Sequence, residues 1–325
     1  MDHMDELRRR DQLLSWGEQG LLTPTQLKRA LAPATSAASA AQWRWALDRL
    51  LGFYGCLLLA LGVIFFFAFN WDELHRGHKL AAAALALSGF AVAAFILQSG
   101  SAFQHACLFG AALTTGALLA LIGQIYQTGA DIWQLFAGWS ALMLPWVLLS
   151  RSAASWMLLW LVVNLAVLRY FAVHAGWLGS ILTSASGLLA AVLTNLLLLL
   201  VFEMAGGWLL LRPGRLLHRL CGLALVAALT VGGCIGWWQH EYRELLVGLL
   251  LAALIGLPVY LRRRPDLFMV AILAYSLVVL TAAGLIRLLD PLDGFGVLQL
   301  VGIQLLASSA AVSVWLHRLY REANA

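Results

Sequence analysis

GSILTSASGLLAAVLTNLLLLLVFE, residues 179–203, is a run of 25 residues whose one charged side chain is its last, Glu203. Wound as a helix it would be about 37 Å long, enough to cross a ~30 Å hydrocarbon layer with some tilt. A water-facing helix of that length would need a charged stripe along one side, and none is present. Nine further apolar runs of comparable length flank it, at roughly 51–70, 80–98, 105–125, 132–149, 153–171, 216–238, 244–261, 267–287 and 296–316. Hydrophobic residues make up 62% of the 325 and charged residues 11%. Soluble domains carry about a quarter charged residues, so this chain lacks the polar surface to face water all round.

The expected fold is therefore all-α: a polytopic membrane bundle of about ten transmembrane helices over 51–320, preceded by a cytosolic or juxtamembrane helical segment over 1–50. Connections as short as Ser150–Ser152 and Gln239–Arg243 force antiparallel neighbours. A membrane barrel is excluded because the runs do not alternate apolar and polar residues. Within 1–50, Thr23-Pro24-Thr25-Gln26 reads as a helix start, with Thr23 and Gln26 forming a capping box and Pro24 at the first helical position. An Ala/Ser-rich linker, Ala32 to Ala41, follows. Trp43, Arg44, Trp45, Asp48 and Arg49 then mix aromatic and charged groups as membrane-surface segments do, with Arg44 and Asp48 spaced to pair on a helix.

The basic residues orient the bundle. With ten crossings and both termini inside, sixteen of the 21 Lys and Arg fall on the inner side. They cluster in the N-terminal segment, at Arg151, at Arg212, Arg215 and Arg219, at Arg262 to Arg264, and at Arg318 and Arg321. Arg76, Lys79, Arg169, Arg243 and Arg287 fall outside. That asymmetry predicts a multi-pass protein of a bacterial inner membrane with both termini cytoplasmic. The net charge of +5 is spread among these clusters and is no nucleic-acid signal. Cys56, Cys107, Cys221 and Cys234 lie in apolar runs without C-x-x-C spacing and read as small hydrophobes. No cleavable signal peptide is visible, because the first 50 residues are polar.

Candidate chemistry is sparse. Asn70 and Trp71 end the first run, and Gln124 and Tyr126 end the third at the same membrane face. Ala112, Gly116, Ala120 and Gln124 recur every four residues, a small-residue stripe that lets a second helix approach and turns Gln124 toward it. These four polar or aromatic residues form a candidate binding or helix-packing cluster, with Trp133 nearby; a ligand site and helix glue both remain open readings. Asn164 and Asn195 lie inside runs, and Ser184, Gly187, Ala191 and Asn195 make a second small stripe. Glu203 is the candidate intramembrane carboxylate, a proton or cation site by default, with Arg212 and Arg215 close enough in sequence to pair with it instead. Arg287 and Asp290, three apart, are spaced to pair. Asp72, Glu73, His75 and His78 make a loose metal-like group, yet Arg76 and Lys79 interleave, so a solvated loop is the stronger reading. No catalytic residue, metal site or cofactor is assigned: phosphate loops, nucleophile motifs and metalloprotease helices are missing from the sequence. Gly206-Gly207 and Gly232-Gly233 are candidate helix breaks, without a convincing internal repeat.

Several of these pieces together resemble a known family. Gly20-Leu21-Leu22-Thr23-Pro24-Thr25-Gln26-Leu27, then Ala68-Phe69-Asn70-Trp71, Leu121-Ile122-Gly123-Gln124-Ile125-Tyr126 and Trp139 are similar to the bacterial membrane-protein family catalogued as domain of unknown function 2157. The resemblance covers about residues 10–150 and implies a multi-pass membrane protein without an established activity. Members of that family are often encoded beside other small membrane proteins, which implies a multi-protein assembly. Two functional readings follow: a non-enzymatic scaffold or accessory subunit of an envelope complex, or a transporter or lipid-handling protein with an outward cavity near Asn70, Gln124 and Tyr126. The lipid bilayer is the first expected partner, other membrane proteins the second.

Overall fold

A computed structural model describes Leu13, Thr23, Thr25 and Gln26, and residues 40–69, 75–127, 129–175, 184–211, 214–289 and 294–324. It contains ten α-helices in the order expected from the apolar runs, and no strand among the described residues. They are α1 (Ala40–Phe69), α2 (Arg76–Ile96), α3 (Ala102–Tyr126), α4 (Ile132–Ser150), α5 (Ala153–Ala175), α6 (Ala185–Leu209), α7 (Leu216–Ile235), α8 (Arg243–Pro258), α9 (Leu267–Leu289) and α10 (Gly294–Asn324). Nine of the described helical spans are long and apolar enough to cross a membrane; the run expected at 51–70 lies in α1, helical throughout its 30 residues.

The chain divides into two units, Met1–Gly55 and Cys56–Ala325. In the first, Thr23 and Gln26 close the expected capping box: the Thr23 amide donates to Gln26 Oε1 at 3.0 Å and the Gln26 amide to Thr23 Oγ1 at 3.4 Å. The stretch with Trp43, Arg44 and Asp48 is part of α1 itself, which begins at Ala40 inside the expected linker. Ala40–Phe69 holds no proline to stop the helix before the apolar run begins.

Among the described residues the second unit holds two large hydrophobic cores, beside a small cluster of Ala83 and Leu121. One is built by Ala112 of α3, Met143 and Val147 of α4, Trp156, Leu159 and Val162 of α5, Leu199 and Phe202 of α6, and Leu217 and Cys221 of α7. The other takes Leu188 and Val192 of α6, Leu225 and Leu229 of α7, Leu245 and Leu249 of α8, and Met269 and Leu273 of α9. Helices α6 and α7 contribute to both and therefore tie the two halves together. From α2 onward sequential helices pack on one another, and α9 also packs on α7. More than half of the apolar window of α3 is buried (56%), against 6% for α10, so α3 is enclosed and α10 is peripheral.

Helix ends are set locally. Ser101 and Ser184 accept from Gln104 N and Gly187 N, satisfying amides with no intrahelical partner. Ser184 thus serves as a cap, the first member of its stripe but not a packing residue. Between α4 and α5, Arg151 adopts a left-handed conformation (φ 47°), and its carbonyl accepts the Leu211 amide at 3.0 Å. That bond brings the α4–α5 turn to the end of α6. Past Pro258, the chain runs through a π-helical turn, Val259–Arg263, before α9 starts. Neither glycine pair breaks a helix: Gly206 and Gly207 lie within α6, Gly232 and Gly233 within α7.

Candidate functional site

The expected cluster at the end of α3 is reached by its small-residue stripe. Ala112 and Gly116 are buried as predicted, and Gly116 accommodates the indole of Trp139 from α4. A Cβ added at Gly116 would fall among the Trp139 ring atoms. With the ring seated there, Trp139 Nε1 donates to the Ala112 carbonyl at 2.8 Å, and two turns further along α4 Trp146 Nε1 donates to Thr115 Oγ1 at 3.1 Å. The stripe thus receives tryptophan side chains rather than a bare backbone. Toward the helix end it emerges: Gln124 is exposed, and Tyr126 is 65% exposed. Gln124 lines an open cleft of 430 Å³ with Gly123, Gly129, Asp131 and Gln134, between the end of α3 and the start of α4. Tyr126 is not among the lining residues. Asn70 and Trp71 lie outside the described residues, as do Asp72, Glu73 and Asp290. Trp133 packs edge-on against Tyr170 of α5, ring centroids 5.0 Å apart.

His75 and His78 are described. His75 Nδ1 accepts the Gly77 amide at 3.3 Å and so caps α2, and the two rings meet edge to face at 6.0 Å. A group of three or more metal-ligating side chains does not occur among the described residues.

Deeper in the bundle, Asn164 of α5 and Asn195 of α6 bond one another. Asn195 Nδ2 donates to Asn164 Oδ1 at 2.8 Å and to the Ala191 carbonyl at 2.9 Å. Its Oδ1 accepts Trp160 Nε1 at 2.9 Å, and Asn164 Nδ2 returns to the Trp160 carbonyl at 2.8 Å. Asn195 is 1% exposed. In hydrocarbon an unbonded amide has no water to turn to, and this closed chain leaves neither amide short of a partner. Beside it runs a cavity of 360 Å³ between α5, α6 and α7, lined mostly by Leu, Ala and Val.

The charged centre lies at the end of the bundle that carries the α4–α5, α6–α7 and α8–α9 connections. Glu203 of α6 bonds Arg264, from the segment after the π turn. Its expected partners differ: Arg215 instead joins Arg219 on Asp266, and Arg212 lies outside the described residues. Arg215 Nη1 and Arg219 Nη2 sit 3.3 and 3.1 Å from Asp266, whose side chain is 1% exposed. Asp266 Oδ1 also accepts the Phe268 amide at 3.1 Å, capping α9. One carboxylate thus serves two guanidiniums and a helix end, which is how a buried charge avoids its desolvation penalty. Arg264 donates as well to the Glu203 carbonyl at 3.0 Å. Glu203 Oε1 and His218 Nδ1 are buried without a bonding partner, and His218 packs beside Phe202 of α6.

These features define a polytopic α-helical membrane protein whose interior polar groups are largely held by the protein itself. Residues 14–156 match the family model described as "Predicted membrane protein (DUF2157)", the family that the N-terminal and α3 motifs resemble. The match takes in α1 to α4 and ends at the first turn of α5. No curated protein and no solved structure matches the chain.

Proposed function

We propose that the chain is a non-catalytic protein of a bacterial inner membrane, with both termini cytoplasmic, acting as a scaffold or accessory subunit of an envelope membrane complex. The observation that carries this reading is the closed Trp160–Asn195–Asn164 chain. A transport path needs polar groups free to exchange partners with a substrate, whereas these amides are committed to holding α5 against α6. Peripheral α10, with Leu298, Leu306 and Ile303 exposed, offers an apolar face suited to a neighbouring membrane protein.

The test is site-specific photo-crosslinking from Leu298, Ile303 and Leu306, followed by copurification in mild detergent. One protein crosslinked stoichiometrically from all three positions supports the scaffold reading. Crosslinks to lipid alone count against it.

The second reading, a transporter or lipid-handling protein, draws on the 430 Å³ cleft with Gln124, Asp131 and Gln134 at its wall. A small molecule retained through purification and lost on Gln124→Leu would favour it.

A further inference from the structure

At the arginine-bearing end of the bundle, α9 and α10 flank an open groove of 460 Å³ lined by Leu267, Phe268, Ala271, Tyr275, Leu316 and Tyr320, with Ser313 and His317 completing it. From Leu267 to Tyr275 it extends about 12 Å along α9. Its inner limit is a bond between Tyr275 Oη and Ser313 Oγ, 2.8 Å long. The mouth is polar and cationic. Arg219 lies over the Phe268 ring at 5.6 Å from its centroid, with its side chain 45% exposed. Arg318 and Arg321 on α10 are exposed in the turns beside His317 and Tyr320. Glu203 and Asp266 are already matched to Arg264 and to Arg215 and Arg219, while Arg262 and Arg263 are exposed and have no carboxylate partner among the described residues. Among the described residues, exposed Glu322 is the carboxylate beside the α10 arginines in sequence.

We propose that this groove is a binding site for an anionic phospholipid, with an acyl chain between α9 and α10 and the phosphate at Arg219. Three observations converge on that occupant. The groove begins at the helix ends, where headgroups lie, and runs apolar toward the hydrocarbon, matching the order of a lipid's own parts. Arg219 gives Nε and Nη2 to Asp266, which leaves the other donors of its half-exposed guanidinium for a phosphodiester, and the excess of guanidinium over carboxylate at this end of the bundle adds an anion-attracting field. Only 6% of the apolar window of α10 is buried within the chain, so the groove is open from the side and a lipid enters it laterally. Phe268 joins the two parts, its ring forming groove wall and seat for Arg219 at once. The inference holds whichever membrane leaflet the basic end faces and whichever functional reading is right.

Native mass spectrometry of the full chain in neutral detergent tests it, with dioleoyl phosphatidylglycerol titrated against dioleoyl phosphatidylcholine. Phosphatidylglycerol should be retained preferentially. Arg219→Gln should weaken that retention about fivefold, the effect of one cation at a membrane surface. Because Arg219 also holds Asp266, an unfolded Arg219→Gln chain would be replaced by Arg262→Gln with Arg263→Gln, each expected to lower retention by a similar factor. Ala271→Trp fills the groove and should lower retention of both lipids while leaving the headgroup preference of any remaining binding intact. Equal retention of the two lipids, unchanged retention in Ala271→Trp, or displacement of the lipid by millimolar inorganic phosphate would each overturn the proposal.

Discussion

Replacing Asn195 by Leu removes the centre of the intramembrane amide chain while roughly conserving volume. Two bonds between α5 and α6 disappear: Trp160 Nε1 loses its acceptor and Asn164 Oδ1 loses its donor. Interhelical hydrogen bonds in membranes average about 0.6 kcal/mol and reach about 1.7, so two together are worth about 1–3 kcal/mol. An indole N–H left buried without a partner costs about 1–3 kcal/mol, and that cost overlaps with the first figure rather than adding to it. The expected loss is thus about 1–3 kcal/mol. Asn164→Leu should lose less, because only one of its bonds crosses between helices; its other stays within α5. A double-mutant cycle between the two asparagines should return a coupling of about 0.5–1.5 kcal/mol. Unfolding in mixed micelles with increasing sodium dodecyl sulfate, followed by tryptophan fluorescence and far-ultraviolet circular dichroism, measures both quantities. Leu197→Ala, at a position 63% exposed, serves as the control and should change little. A coupling near zero, or Asn195→Leu within about 0.3 kcal/mol of the parent, would refute the view that these amides hold the helices together.

Gly116→Ala should destabilise by about 1–3 kcal/mol and displace the Trp139 indole, seen as a shifted emission maximum; an unchanged spectrum would contradict the seating of Trp139 on α3. Asp266→Asn leaves two guanidiniums with a neutral partner, and because both are partly exposed the expected cost is about 1–3 kcal/mol by the same micelle assay, below that of a fully buried pair. Reporter fusions after Gly129 and His240 should read external and those after Arg151 and Arg264 cytosolic, and any one reversed position would invalidate the ten-crossing orientation.

The helices were legible because apolar runs of about twenty residues leave a membrane chain few alternatives. What lay beyond the reach of local patterns was partner choice. Glu203 and Arg264 are 61 residues apart, and nothing near either one points to the other; the π turn after Pro258 delivers the arginine. For Asp266 the sequence does carry a signal. Arg215 and Arg219 are four apart at the start of α7, where cations oppose the helix dipole, and such an arrangement calls for a carboxylate from another segment. Near Gly116 the α3 stripe is the packing face that its spacing predicts. Its spacing does not reveal that an indole occupies it, or that Gln124 is exposed and lines an open cleft beside the start of α4.

The sharing of α6 and α7 between the two cores has a consequence for how such chains can vary. A protein ending where the family match ends, at residue 156, would keep Met143 and Val147 of α4 but lack Leu159, Val162, Phe202 and Leu217, which cover them. The first four helices are therefore an unfinished module. A relative consisting of that module alone would have to recruit its missing wall from a second chain, so that what is folding here would become assembly there.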